Sequence, residues 1–432
     1  MVIADRNFIE ESKKLISKSF ADPKVAEIFE TCMKNTLDTT IKINDEETFI
    51  LTGDIPAMWL RDSVCQIRPF LLFSKNHEEI QDMLIGLVKK QIKLINLDPY
   101  ANAFNETANG KGHQNDNTEM SPHIWERKYE IDSLCYPIQL SYLLWKITGR
   151  IDHFSNEFKD CCKKIIQLWK LEQDHEINSD YYFEREQRLL DTDTLSRDGK
   201  GSLTGYTGMT WSGFRPSDDA CTYGYLVPSN MFAVLVLGYL EEINAEFFKD
   251  DMEFLKQVQI LKSEIKAGIE NFAVVNDKVF GEIYAYEVDG LGNHLLMDDA
   301  NVPSLLSMPF LNYCDSDDVR YQNTREFILS SKNPYFFSGK VANGVGSPHT
   351  PNNSIWPIAL SIQGLTSRFE SEKRDIVATL LRTDANTGLM HESFNVNSPS
   401  EFTREWFSWA NMMYCELVLD IVGINLNQLL NK

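Results

Sequence analysis

Two short segments carry the residues best suited to acid–base chemistry. The first is Arg215-Pro216-Ser217-Asp218-Asp219-Ala220. Pro216 fixes its own backbone and biases Arg215 away from helix, while Ser217 and Asp218 are residues that favour turns and helix starts. Adjacent carboxylates repel, so partial burial is expected to raise the pKa of one of the pair, and a carboxyl kept protonated near neutral pH can act as a general acid. The same residues also suit a capped turn bearing two solvated acids. The second segment is Gly388-Leu389-Met390-His391-Glu392-Ser393-Phe394. Here one Glu sits among apolar neighbours, a costly position for an acid unless it is paired or protonated. Glu392 is therefore a functional group or the exposed tip of a loop.

Other clusters offer groups that could grip a polyhydroxylated ligand. Arg61 and Asp62 follow Trp59, an aromatic wall beside a charged pair. Glu126, Glu130 and Asp132 gather at a predicted helix start, where the macrodipole alone also favours carboxylates. Asp298, Asp299 and Asn301 group several acceptors, which also suggests calcium. No D-x-D-x-D-G loop or His cluster accompanies them, so no metal or other cofactor is expected. His349, between Pro348 and Thr350-Pro351, is held in a stiff extended loop, where it could donate to a hydroxyl or simply lie at the surface. P-loop, G-x-S-x-G and dinucleotide-binding patterns are absent.

The elements that must place these groups are helical. Apolar periodicity predicts helices near 4–20, 23–35, 79–95, 129–147, 158–172, 229–243, 252–272, 302–311, 318–331, 354–366, 372–383 and 404–421. Short β-like stretches fall at 39–43, 48–51, 181–184 and 279–288. No β-α-β rhythm is present, which argues against a parallel sheet. About six times, a polar and aromatic cluster precedes or opens an apolar helix, at 58–62, 125–129, 215–219, 297–301, 347–351 and 404–407. The spacing is too irregular for a sequence repeat, yet it accommodates six helical hairpins. Closed into a ring, these would form an all-α (α/α)6 toroid with the clusters at one end. No linker interrupts residues 1–432, so one domain is expected.

Composition narrows the partners. The chain has 432 residues, is 43% hydrophobic and carries a formal net charge of −21, which disfavours nucleic acid and anionic membranes. Its 8 Trp, 16 Tyr and 25 Phe suit packing against sugar faces, although most aromatics in any protein belong to the core. Residues 1–17 read as an amphipathic helix with no signal-peptide core, and the longest apolar run, Met231–Leu240, is too short to span a membrane. The eight cysteines show no metal or disulfide spacing, so reduced thiols and a cytoplasmic location are expected. Nothing in the sequence sets an oligomeric state.

Several long motifs resemble glycoside hydrolase family 125, the exo-α-1,6-mannosidases. They are GDIPAMWLRDS from Gly53, WERKYEIDSLCYP from Trp125, YTGMTWSGFRPSDDA from Tyr206, MDDANVPSLL from Met297, GSPHTP from Gly346 and HESF from His391. The similarity spans nearly the whole chain, while the loops at 106–119 and 186–201 look individual. The resemblance implies an (α/α)6 barrel, no metal, inversion at the anomeric carbon, and a mannose-containing oligosaccharide as substrate. It further implies Asp218 as general acid and Glu392 as general base. Arg61, Asp62, Glu126, Trp211, Asp299 and His349 are then the candidates for holding the sugar. The residues by themselves leave two other readings open, a non-catalytic sugar-binding toroid and a different toroid hydrolase or lyase.

Overall fold

Helices dominate, joined by loops that carry sheets of only two or three short strands. The computed structural model describes residues 3–430. The main helices are α1 (Asn7–Ser19), α2 (Lys24–Thr39), α3 (Leu60–Cys65), α4 (Glu78–Leu97), α5 (Ile131–Thr148) and α6 (Asn156–Glu172). They continue with α7 (Val227–Phe247), α8 (Met252–Gly268), α9 (Val319–Ile328), α10 (Pro357–Leu365), α11 (Glu370–Arg382) and α12 (Ser408–Ile421).

Two kinds of helix alternate along the chain. The helices α2, α4, α6, α8 and α11 bury one apolar stripe and leave charged residues outside. By contrast, α5, α7, α10 and α12 are buried on nearly every side, as their sequences, apolar all round, require. Each Leu, Ile or Phe withdrawn this way contributes roughly 1.5–3 kcal/mol of burial. The buried helices pack on one another: α12 meets α3 and α10, α3 meets α5, and α5 meets α7. The amphipathic helices cover them, α2 and α11 against α12, α4 against α5, and α8 against α7.

Side-chain caps occur only outside the buried set, although α2, α4 and α11 also lack one. Ser155, Asp251 and Asp318 cap α6, α8 and α9 through side-chain oxygens that accept backbone N–H groups. The buried helices α3, α5, α7, α10 and α12 instead start from the extended residues Trp59, Glu130, Leu226, Trp356 and Phe407, with no side-chain cap. Small antiparallel sheets deliver three of these entries. Met58–Trp59 pairs with Ala103–Phe104, Tyr225–Leu226 with Glu287–Val288, and Ser354–Ile355 with Ser393–Asn395. Residues 58–59, 225–226 and 354–355 are thus fixed by ladder bonds just before the chain turns into the interior.

Most expected helices are present, with ends shifted by a few residues. The helix expected at 302–311 is a series of turns, because Ser304 and Ser307 hydrogen-bond reciprocally to each other's backbone N–H groups and Pro309 cannot donate to a helical ladder. Residues 404–407 stay non-helical before α12, bending at Arg404, which has φ 47°. The stretch at 181–184 forms only an isolated bridge at Glu184. The sequence reading missed α3 and the 3-10 turn Arg68–Leu72 behind it, since Arg61, Asp62, Gln66 and Arg68 interrupt the apolar pattern although all four are buried. The amphipathic helix expected from residue 1 runs from Asn7, and residues 1 and 2 lie outside the described residues. All eight cysteines are unpaired, and only Cys314 is not fully buried. No helix among the described residues is long and apolar enough to cross a membrane.

Candidate active site

A cavity of about 310 Å³ lies where these entries meet. Trp59, Arg61 and Asp62 come from the start of α3, and Ser217 and Asp218 from the tight turn after Arg215. Asn301, His349 and Trp356 add a second side, and Glu392, Arg404, Phe407 and Trp409 complete the wall. Five of the six clusters read from the sequence therefore reach one cavity. The sixth, at 125–129, stands behind it. A larger cavity of about 930 Å³, beside Tyr239, Tyr284 and Arg320, contains none of these motifs. Its acids Glu241, Glu270 and Glu282 are matched by Lys262 and Arg320.

The turn separates the two neighbouring acids. The Asp218 N–H donates to Arg215 O at 2.9 Å and the Arg215 N–H to Asp219 O at 2.8 Å, closing a turn with Pro216 at its preferred second position. Asp218 occupies the left-handed region at φ 67°, which Asp tolerates better than most residues. Its carboxyl faces the cavity, where Arg61 Nη2 donates to Oδ1 at 3.0 Å. Asp219 points the other way. It accepts from Thr192 Oγ1 at 2.5 Å and Ser217 Oγ at 2.8 Å, and faces His349 at 3.6 Å.

Burial alone would raise both carboxyls of this pair, yet both are held below the ordinary Asp range. For Asp218, Arg61, a hydrogen bond with Glu130, Lys128 and His349 outweigh desolvation. For Asp219, His349, Thr192 and Ser217 do so. The raised member expected within the pair is therefore elsewhere. Burial lifts Glu130 well above the ordinary range against the pull of Arg61, and pushes Asp62 up to about 6. Desolvation opposes charge on His349, but Asp219 overrides it and holds the imidazole up at about 9.

Glu392 is held on a different scaffold. Met390 N–H donates to Asn411 Oδ1 at 2.8 Å, anchoring the loop on α12. His391 turns away, stacking on Phe402 at 3.9 Å and donating from Nδ1 to Glu405 O at 2.6 Å. The apolar neighbours Met390 and Phe394 are buried behind the loop, which leaves Glu392 on the cavity wall. Its carboxylate is paired rather than stranded, since Arg404 Nη1 lies 3.6 Å from Oε1. Arg404 is itself anchored on Asp54.

The remaining sequence candidates divide. Arg61, Asp62 and His349 line the cavity. Arg61, however, is 2% exposed and its guanidinium is engaged with Glu130, Asp132 and Asp218, so it holds acids in place before it meets any ligand. Glu126 is off the wall, held by Arg185 at 2.7 Å and Asn102 at 3.0 Å. Asp299 stands one layer back, accepting from Asn301 and Ser347 and so positioning the Asn301 that does reach the cavity. Asp298 accepts the N–H groups of Leu305 and Leu306 at 2.9 Å each, so its oxygens serve the backbone. Among the described residues no cluster of three or more His, Cys, Asp or Glu could hold a metal ion.

Trp211 lies away from the cavity. It stacks on His175 at 3.6 Å, and Gly224 makes room for it, because a Cβ there would fall 2.1 Å from the indole. Trp211→Ala should cost about 3–5 kcal/mol of folding stability. A thermal melt should show that loss with KM unchanged in the folded fraction, whereas a raised KM with an unshifted melt would return Trp211 to the site. Trp356 and Trp409 were missed as candidates, although each stands at the opening of an apolar helix, the same signal that singled out Trp59.

The profile described as metal-independent alpha-mannosidase (GH125) matches residues 22–419. The meiotically up-regulated gene 157 protein of Schizosaccharomyces pombe is 37% identical over 439 residues, covering 96% of this chain and 85% of its own. A metal-independent alpha mannosidase from Streptococcus pneumoniae, solved as a non-productive complex with α-1,6-mannobiose, superposes with TM-score 0.95 at 51% identity, covering 98% of this chain and 100% of that one. A bacterial glucoamylase complexed with acarbose shares the fold at TM-score 0.59 and 11% identity, over 92% of this chain and 56% of its own.

Proposed function

Since the chain belongs to the metal-independent α-mannosidases of glycoside hydrolase family 125, we propose that it is an exo-acting enzyme. It releases terminal α-1,6-linked mannose from the non-reducing end of oligosaccharides such as N-glycan fragments, and it inverts the anomeric carbon. The observation that carries this reading is the placement of two differently supported carboxyls, Asp218 beside Arg61 and Glu392 beside Arg404, on one small cavity. Asp218 protonates the departing oxygen while Glu392 takes a proton from the attacking water, through an oxocarbenium-like transition state.

Other features support the same reading. A cavity of about 310 Å³ is at the lower end of ligand sites, which suits one terminal sugar better than a threaded chain. On its wall, Trp59 Nε1, Trp409 Nε1 and Arg404 Nε find no acceptor within the protein, and hydroxyl oxygens would satisfy such donors. Asp62 and His349 then stand ready to accept from and donate to ring hydroxyls. The alternation of fully buried and amphipathic helices supports one (α/α)6 toroid over residues 1–432, with the site at the mouth formed by the starts of the buried helices. The eight unpaired thiols favour a reducing compartment, the cytoplasm.

A panel of mannobioses and aryl glycosides, run before and after dialysis against EDTA, tests the assignment. Free mannose should appear from α-1,6-mannobiose at the same rate in both, and glucosides should be inert. Faster release from another linkage, or loss of activity restored by one divalent ion, would contradict it.

A further inference from the structure

We propose that Arg404 is a positioning residue for the base, directing the Glu392 carboxylate toward the water whose proton it takes. This rests on Glu392 being that base. Register brings the two residues together. Ser393 pairs with Thr403 and Phe394 with Phe402, so the next opposed positions, just past the end of the ladder, are Glu392 and Arg404. Opposed residues on antiparallel strands share a face, and here Arg404 Nη1 comes to 3.6 Å from Glu392 Oε1. Two further bonds keep the segments side by side. Phe407 N–H donates to Met390 O at 2.8 Å, and His391 Nδ1 donates to Glu405 O at 2.6 Å.

Arg404 is itself fixed from several directions. Its Nη2 pairs with Asp54 and donates to Thr52 O at 3.4 Å. Its Cζ stands 4.5 Å from the centre of the Phe407 ring, within cation–π range. Gly53, at φ 59°, leaves the space the guanidinium needs, since a Cβ there would fall 3.1 Å from Nη2. The backbone of Arg404 lies at φ 47°, a region that a long side chain rarely adopts and that persists only where the surroundings over-determine it. Thr52 also accepts the Trp59 N–H at 3.2 Å through Oγ1. The guanidinium thus ties the loop of the base to the wall that carries Trp59, Arg61 and Asp62.

Glu392 needs such a partner. Met390 and Phe394 are buried behind it, and a carboxylate beside apolar surface is costly unless paired. Among the described residues no protein hydrogen bond restrains its oxygens, so the ion pair with Arg404 is the contact that aims them. The other cations on the wall are engaged elsewhere: His349 faces Asp219, and Arg61 holds Glu130, Asp132 and Asp218. A planar guanidinium with one nitrogen on Asp54 and another toward Glu392 is a rigid bracket, which an ammonium on a flexible stem reproduces only in charge. Aim matters because a base must lie within hydrogen-bond reach of the proton it removes, and a misplacement of about 1 Å lowers a rate by on the order of 10²-fold.

The test is the kinetics of Arg404→Met, Arg404→Lys and Asp54→Asn on α-1,6-mannobiose and on 2,4-dinitrophenyl α-mannoside, whose leaving group needs little protonation. Arg404→Met should lower kcat by about 10²-fold, equally on both substrates and with KM little changed, because the impaired step is activation of water. Arg404→Lys should recover part of that loss. Added to Glu392→Gln, Arg404→Met should cause little further loss, since the two residues act as a unit. Asp54 is half exposed, so Asp54→Asn should fold and show the same pattern at smaller amplitude, even if neither Arg404 variant is stable. A raised KM with unchanged kcat would make Arg404 a sugar-holding residue and overturn the proposal. A larger loss on mannobiose than on the aryl substrate, or additive losses in the double variant, would reduce Arg404 to a structural tie and overturn it too, as would wild-type kinetics. Full activity of Glu392→Gln would instead sink the base assignment beneath it.

Discussion

Asp218→Asn should lower kcat/KM on α-1,6-mannobiose by about 10²–10⁴-fold, the range that positioned general acids supply. The amide keeps the size of the side chain and its place in the turn, and it removes only the transferable proton. Arg61 loses one of its carboxylate partners but retains Glu130 and Asp132, so the fold should survive. The loss should shrink on a dinitrophenyl mannoside, because a good leaving group departs without help. Asp219→Asn should behave differently. Asp219 accepts from Thr192 and Ser217 and is the counter-charge of His349, so its amide should cost about 1–3 kcal/mol of stability through broken buried bonds. Steady-state kinetics on both folded variants separates these outcomes. A fully active Asp218→Asn beside a dead Asp219→Asn would exchange the assignments.

Glu392→Gln should be nearly inactive on every substrate, good leaving groups included, because Glu392 alone is assigned to take the proton of the attacking water. Its loss should therefore be insensitive to the aglycone, which distinguishes a missing base from a missing acid. The loop geometry favours a clean result. His391 is tied to Glu405, Met390 to Asn411, and neither bond depends on the Glu392 carboxylate. Only the contact with Arg404 is altered, and Arg404 keeps Asp54. Rates measured across an aryl mannoside series decide the matter. Recovery of activity with better leaving groups would remove Glu392 from the role of base.

How much of this was legible in the sequence follows from what each residue does. Residues whose side chains act locally were readable: Pro216 marks the turn that splays Asp218 from Asp219, and an acid flanked by apolar residues marks Glu392. The helices with apolar stripes were readable for the same reason, since period is a local property. The buried helix entry at 60–65 was not, because Arg61, Asp62 and Arg68 look like surface residues until partners some 70 to 350 positions away, Glu130 and Glu416 among them, bury their charge. A raised carboxyl was sought in the Asp pair, whereas Glu130 and Asp62 are raised around Arg61, for that same reason. Trp211 sits within one of the family motifs, yet its ring is spent on packing against His175. Sequence reads which residues are unusual, whereas only the fold says which of them share a wall.

The stereochemistry of the first product tests the central claim most directly. An inverting pair leaves room for water beneath the ring, with carboxyls about 6.5–9.5 Å apart, whereas a retaining pair stands about 5–5.5 Å apart and attacks the sugar itself. Proton NMR of the wild-type enzyme with α-1,6-mannobiose, recorded in the first minutes before mutarotation, reads the outcome without any mutation. With Asp218 as acid and Glu392 as base, β-mannose accumulates first and the α anomer follows only as the sugar equilibrates. Early α-mannose, or a trapped mannosyl-enzyme, would contradict the single displacement.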